Sequence, residues 1–159
     1  MYTIYVIGIM LVLPGICIIC EYGLNKRKNQ SAPLLQLTIK WFVFWALGVR
    51  ALTAGLMQSI NPAYTANLLQ VGASDYFVIR ELGCANISMG VLAICSLFIP
   101  KWRTAASLCL GLFLALCTVL HVFHYGIQLN EIVATISDIW AVIVAIFCIA
   151  VNSKRAEKG

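Results

Sequence analysis

Charge is what this sequence has least of. Of 159 residues, 11% are charged and 62% hydrophobic, with a mean hydropathy of +0.92. A soluble domain carries about 25% charged residues, so a surface of this composition would not stay in water. The net charge of +5 would suit nucleic acid, yet the chain lacks an Arg- and aromatic-rich strand and a basic recognition helix. Its basic residues sit in short clusters beside apolar segments, where they act as topology anchors. Nucleic acid is therefore set aside. Also missing are a glycine-rich phosphate loop, a P-loop, a nucleophile elbow and an H-E-x-x-H motif. The first 22 residues have neither a basic n-region nor an A-x-A site, and Pro14-Gly-Ile before Cys17 lacks the small residues of a lipobox. That segment is expected to be a retained span.

What the sequence has is hydrocarbon in lengths that fit a bilayer. Five segments approach the roughly 20 apolar residues needed to cross it, at about 2–22, 34–58, 76–99, 105–125 and 131–151. They leave no room for a soluble catalytic domain. The expected fold is a single all-α domain, a bundle of five transmembrane helices over residues 1–159. Asn61-Pro62 is a helix-start signal, with Asn61 as the N-cap and Pro62 at the first position, so a short interfacial helix over 63–71 is expected after the second span. Basic residues alternate with the connections: Lys26-Arg27-Lys28, then Lys101 and Arg103, then Lys154, Arg155 and Lys158. The positive-inside rule then predicts an outside N-terminus and a cytoplasmic C-terminus.

Ionisable groups within such spans are costly, about 2.5–3.5 kcal/mol at a helix centre, and turn to the bundle interior or to water. Lys40 lies near a span end and can snorkel. Arg50, ten residues further and about 15 Å deeper, cannot. Four spans bring polar residues toward the same leaflet: Gln58 and Arg50 on the second, Glu81 and Asn86 on the third, His121 and His124 on the fourth, Glu131 and Asp138 on the fifth. Helical spacing places Asp138 on a stripe with Ala134, Ala141 and Ala145, and aligns Ser107, Gly111 and Ala115, small residues that permit close helix contact. The third span carries two such faces, Glu81-Cys84-Ala85-Ser88 and Gly83-Asn86-Gly90, and is expected to be central. Arg50 is expected to meet a carboxylate, with Glu81 favoured and Asp138 the other candidate.

This cluster can be read as a structural tie between helices or as a ligand pocket. His121-Val-Phe-His124 puts two imidazoles on one helix face, but a zinc site needs three or four converging ligands, and no metal site is predicted. A proton-responsive or head-group-binding role suits His121 better. Cys17-Ile-Ile-Cys20 has thiol-oxidoreductase spacing, yet it is embedded in apolar residues, where a thiol is inert.

Lys40-Trp-Phe-Val-Phe-Trp-Ala-Leu-Gly-Val-Arg50, Asn61-Pro-Ala-Tyr-Thr-Ala66, Arg80-Glu-Leu-Gly-Cys-Ala-Asn86, and Asn130-Glu131 with Asp138 resemble a domain-of-unknown-function family of small bacterial multi-pass inner-membrane proteins. In outline that family is similar to DoxX-like membrane proteins, some of which are linked to quinone-dependent redox chemistry. The resemblance covers residues 38–145. It implies a bacterial membrane location and carries over no catalytic residues.

The sequence thus leads to a non-enzymatic reading. The expected role is binding of a small amphipathic or lipid-like ligand, or service as an accessory subunit of a larger membrane complex, with membrane lipids as neighbours and a homodimer as a further expectation. No cofactor is predicted. The alternative is a small quinone- or haem-linked redox enzyme. Proton or ion transport ranks third, since neither an inverted repeat nor a broken central helix is evident.

Overall fold

The computed structural model describes residues 2–28, 33–69, 71–123 and 129–156, and among them every regular element is a helix. Five helices are long and apolar enough to cross a membrane. We label them with one short helix in chain order: α1 (Tyr2–Arg27), α2 (Leu34–Ile60), α3 (Pro62–Leu69), α4 (Tyr76–Cys95), α5 (Arg103–Phe123) and α6 (Leu129–Ala156).

The punctuation is local chemistry. Pro33 has an extended backbone, with ψ 126°, ahead of α2, as a ring nitrogen without an N–H permits at a helix start. Asn61 breaks α2 at φ −130°, ψ 71°, and Pro62 opens α3. A short helix therefore does follow the second span, over Pro62–Leu69 where 63–71 was expected, with Val71 outside it. The third spanning helix ends at Cys95, four residues before the expected limit. There the Ser96 hydroxyl donates to the Ala93 carbonyl (2.6 Å), and a turn leads to the 3-10 segment Pro100–Trp102.

Two tight helix pairs build the bundle, α2 on α4 and α5 on α6. The first rests on glycine. A Cβ at Gly55 would stand 2.6 Å from the Gly83 carbonyl oxygen, and one at Gly90 would stand 2.6 Å from the Leu52 nitrogen. Backbones this close gain dispersion contacts, the main packing force between helices in lipid. In the second pair, a Cβ on Gly111 would meet the Ala145 methyl at 2.6 Å, so the two small-residue rows predicted from spacing meet at that point.

The central helix is α2, not the third span. It touches α1, α4, α5 and α6, and Val43, Ala46, Leu47 and Ala51 are buried in the core with Leu110 and Ala145. Only the Gly83-Asn86-Gly90 face of α4 is buried, while Glu81, Cys84, Ala85 and Ser88 are all exposed. The glycine row decides this, because it permits the closest approach and the opposite face must then point out. The outer surface is apolar: Ile19, Phe98, Leu120 and Phe123 are 72–79% exposed. That is the reverse of a water-soluble exterior, where large apolar patches are small and few.

Two π-helical stretches interrupt the spans, Gly8–Val12 in α1 and Val43–Val49 in α2. They pack against each other. Such wide turns change the phase of the residues that follow and are frequent at functional sites. The one in α2 ends where Arg50 begins.

Candidate functional site

Arg50 leaves α2 directly after the π stretch and reaches α6. Its Nη2 forms an ion pair with Asp138 Oδ1 and donates to Ser137 Oγ at 3.0 Å. The Ser137 hydroxyl in turn donates to the Ala134 carbonyl (2.7 Å), so its proton and one lone pair are both used. Burial is deep, with side-chain exposures of 16% for Arg50 and 6% for Asp138. Asp138 can lie so close to α2 because Ala141 and Ala145 on the same stripe are buried without bulk.

The partner of Arg50 is thus Asp138 and not Glu81. Five residues separate Glu81 from Asn86, which turns the two side chains to nearly opposite sides of α4. Since Asn86 faces α2, Glu81 cannot. Asn86 makes its own tie, its Nδ2 donating to Gln58 Oε1 at 2.9 Å, one polar link within the α2–α4 seam.

Around the ion pair lie groups from the start of α1. Half-buried Tyr2 sits within the field of both Arg50 and Asp138. Tyr5 and Thr53 share a hydrogen bond, and because the Thr53 hydroxyl also donates to the Val49 carbonyl (2.8 Å), the Tyr5 hydroxyl is the donor. Half-buried His121, near the end of α5, is close enough to act on the charge of Asp138. His124 lies outside the described residues, and so does the Glu131 side chain. Among the described residues, no three His, Cys, Asp or Glu side chains converge as metal ligands would.

Beside this cluster, α1 and α6 do not close completely. A groove of about 370 Å³ runs between them, lined by Val6, Met10, Val133, Ile136, Ser137 and Trp140 among others. Trp140 Nε1 donates to the Met10 carbonyl at 3.3 Å, a carbonyl within the π stretch of α1. The lining is mainly apolar, with Thr3 of α1 and Ser137 of α6, the residue bonded by Arg50, as its hydroxyl-bearing members.

A second polar knot occupies the opposite end of the bundle. Lys40 Nζ bonds both carboxylate oxygens of Glu21 (2.7 and 2.8 Å), and Trp41 Nε1 donates to Glu21 Oε2 at 2.7 Å. Lys40, expected only to snorkel, is therefore an interhelical partner. Near the same end, the Arg103 side chain is buried, with one contact to the Ser96 carbonyl at 3.4 Å.

Ser137, Tyr2, Tyr5 and Glu21 were not expected at these sites. Ser137 carried a readable signal, since it adjoins the one carboxylate set deep in the last span. The tyrosines carried none, because only the packing of α1 shows what lies beneath its first turn.

A bundle of five apolar helices, tied by the interhelical ion pairs Arg50–Asp138 and Lys40–Glu21 and with a groove alongside, fits the class of multi-pass membrane proteins. Residues 4–158 match the model of a family of unknown function, DUF6790, and the chain belongs to that family. No curated protein and no solved structure matches it.

Proposed function

We propose that this chain is a bacterial inner-membrane protein that binds a small amphipathic, lipid-like molecule. The tail lies in the groove between α1 and α6 and the polar head lies against Arg50, Asp138 and Ser137. The observation that carries this reading is continuity: an apolar channel of about 370 Å³ is bounded on one side by the serine that Arg50 bonds. Pockets that are mostly apolar with a few convergent polar groups are the usual form of small-molecule sites. Because Arg50 and Asp138 already neutralise each other, the head that fits is uncharged or zwitterionic and hydrogen-bonding. A quinone with an isoprenoid tail meets that description, which keeps a quinone-linked redox role as the second reading; a haem has no comparable support.

The distribution of charge supports the orientation, with the N-terminus outside. By sequence position, nine of the eleven Lys and Arg residues lie at the end away from the N-terminus, and four of the six Asp and Glu residues lie at the end that holds it. The cytoplasmic side carries the basic excess. In that orientation α3 lies along the outer interface, and the groove opens to the outer leaflet.

The test uses Trp140 as reporter. Brominated single-chain amphiphiles added to the purified protein should quench its fluorescence saturably at about one molecule per chain, as a single site requires. Trp140→Phe should remove that component, and Ser137→Leu should weaken it. Mass spectrometry of the organic extract should show one amphiphile enriched over bulk lipid. Quenching that rises only in proportion to bromolipid content, with no enriched species, would overturn the proposal.

A further inference from the structure

The outward side of α4 is not the side a helix should offer to lipid. Phe77, Glu81, Cys84, Ser88 and Val91 recur at steps of four, three, four and three residues, the spacing that keeps one seam facing a partner helix. All five are exposed. Cys84 and Ser88, with Ala85 beside them, are small enough to let another backbone approach. Glu81 lies five residues, about 7.5 Å, past the start of α4 at Tyr76. Neither Arg80 nor Glu81 is ion-paired with any described residue. Turned away from their own bundle, this carboxylate and guanidinium find among the described residues none of the counter-charges that such groups normally meet within a span.

The geometry points to a second copy of this chain as the occupant: α4 pairs with α4 in parallel about a two-fold axis, so that Arg80 of each copy meets Glu81 of the other. The charges single out this partner. Arg80 and Glu81 are adjacent, so in a parallel pair they stand at nearly the same height, and a two-fold contact is self-complementary only if one patch carries both signs. This patch does. In the seam, Glu81 occupies a position where one polar residue fixes register at some cost in stability, and Arg80 flanks it. The two cysteines at position 84 then face each other across the axis. The pairing is independent of the ligand groove, which lies on the α1–α6 side.

Oxidative cross-linking in native membranes reads this directly. A dimer band should form, disappear in Cys84→Ser, and persist in Cys109→Ser, which alters an exposed cysteine on α5. Arg80→Glu alone and Glu81→Arg alone each place like charges across the axis, and each should weaken association by about tenfold or more. Co-expressed with different tags, the two variants should restore the band as a mixed dimer, because their charges are complementary. That rescue also shows that both variants fold. The proposal is overturned if the wild type gives no Cys84 band, if cross-linking depends on another cysteine, if the single charge variants dimerise like the wild type, or if co-expression fails to restore pairing.

Discussion

Removing either partner of the Arg50–Asp138 pair should cost far more than removing both. The two side chains are 16% and 6% exposed, so neither charge has much water to fall back on. For unit charges about 4 Å apart at an effective dielectric of about 20, the Coulomb attraction is ~4 kcal/mol, and breaking a buried pair from one side typically costs about 3–5 kcal/mol. Asp138→Leu leaves Arg50 with only the Ser137 hydroxyl, and Arg50→Met strands the carboxylate, so each should destabilise by roughly 3 kcal/mol. The double variant Arg50→Met/Asp138→Leu exchanges the pair for apolar groups and should return to within about 1 kcal/mol of the wild type. The resulting coupling, roughly 5 kcal/mol, exceeds the about 0.5–3 kcal/mol that neighbouring residues usually show, as a pair buried this deeply requires. Graded denaturation in mixed micelles, followed by far-UV circular dichroism, measures all four corners of the cycle. The double variant also separates fold from function: it should be folded yet give no saturable quenching of Trp140. Additive effects of under 1 kcal/mol would refute the electrostatic reasoning. A double variant that still bound amphiphile with wild-type affinity would refute the role of the pair as head-group site.

Gly55→Leu drives a side chain into the backbone of Gly83 and Ile87 and should separate α2 from α4, costing at least the about 1–3 kcal/mol of ordinary overpacking; loss of the thermal transition would show it. Gly15→Ala meets open space within its helix and should instead stabilise by about 0.5–1 kcal/mol in the same assay. Glu21→Ala removes the acceptor of Lys40 and of Trp41 Nε1 and should cost about 1.5–3 kcal/mol; Trp41→Phe in that background should then add little. Hydrogen exchange in micelles should be fastest in α1, which buries less than half the share of its spanning residues that α2 does, because local opening follows sparse contact; equal protection in the two helices would contradict this.

The spans were legible because apolar length against bilayer thickness is a one-dimensional property. So were the stripes: Ala141 and Ala145 are buried as their spacing predicts, and Ala145 meets Gly111 across the α5–α6 contact. Pairing across helices was not legible. Arg50 had two carboxylates at comparable depth, and the choice rested on which face of α4 turned inward. Gly83 and Gly90 made that choice, and helical spacing alone ranked their face no higher than the one bearing Glu81. The π stretch in α2 was hidden for a related reason. Nothing in Val43-Phe-Trp-Ala-Leu-Gly-Val49 marks a widened turn, yet it sets the phase of Arg50. Glu21 went unread because it sits among apolar residues near a span end, where a snorkelling charge is unremarkable.

One helix carries the ties that these observations share. From α2, Lys40 holds Glu21 of α1, Arg50 holds Asp138 of α6, and Gln58 holds Asn86 of α4, three polar bonds to three different helices. In lipid, where apolar contact distinguishes one neighbour from another only weakly, such bonds specify which helix packs where. The α2–α4 seam is reinforced by glycine contacts along its length, and the α5–α6 seam by the contact of Gly111 with Ala145. Helix α1 has no comparable seam. It is fastened by the Glu21 knot at one end, by Tyr5 on Thr53 toward the other, and by the Trp140 bond to the Met10 carbonyl. The groove forms against this loosely fastened helix. On the proposed function, a ligand entering from the bilayer would need to displace only α1, and the helices that hold the ion pair would keep their places while it did.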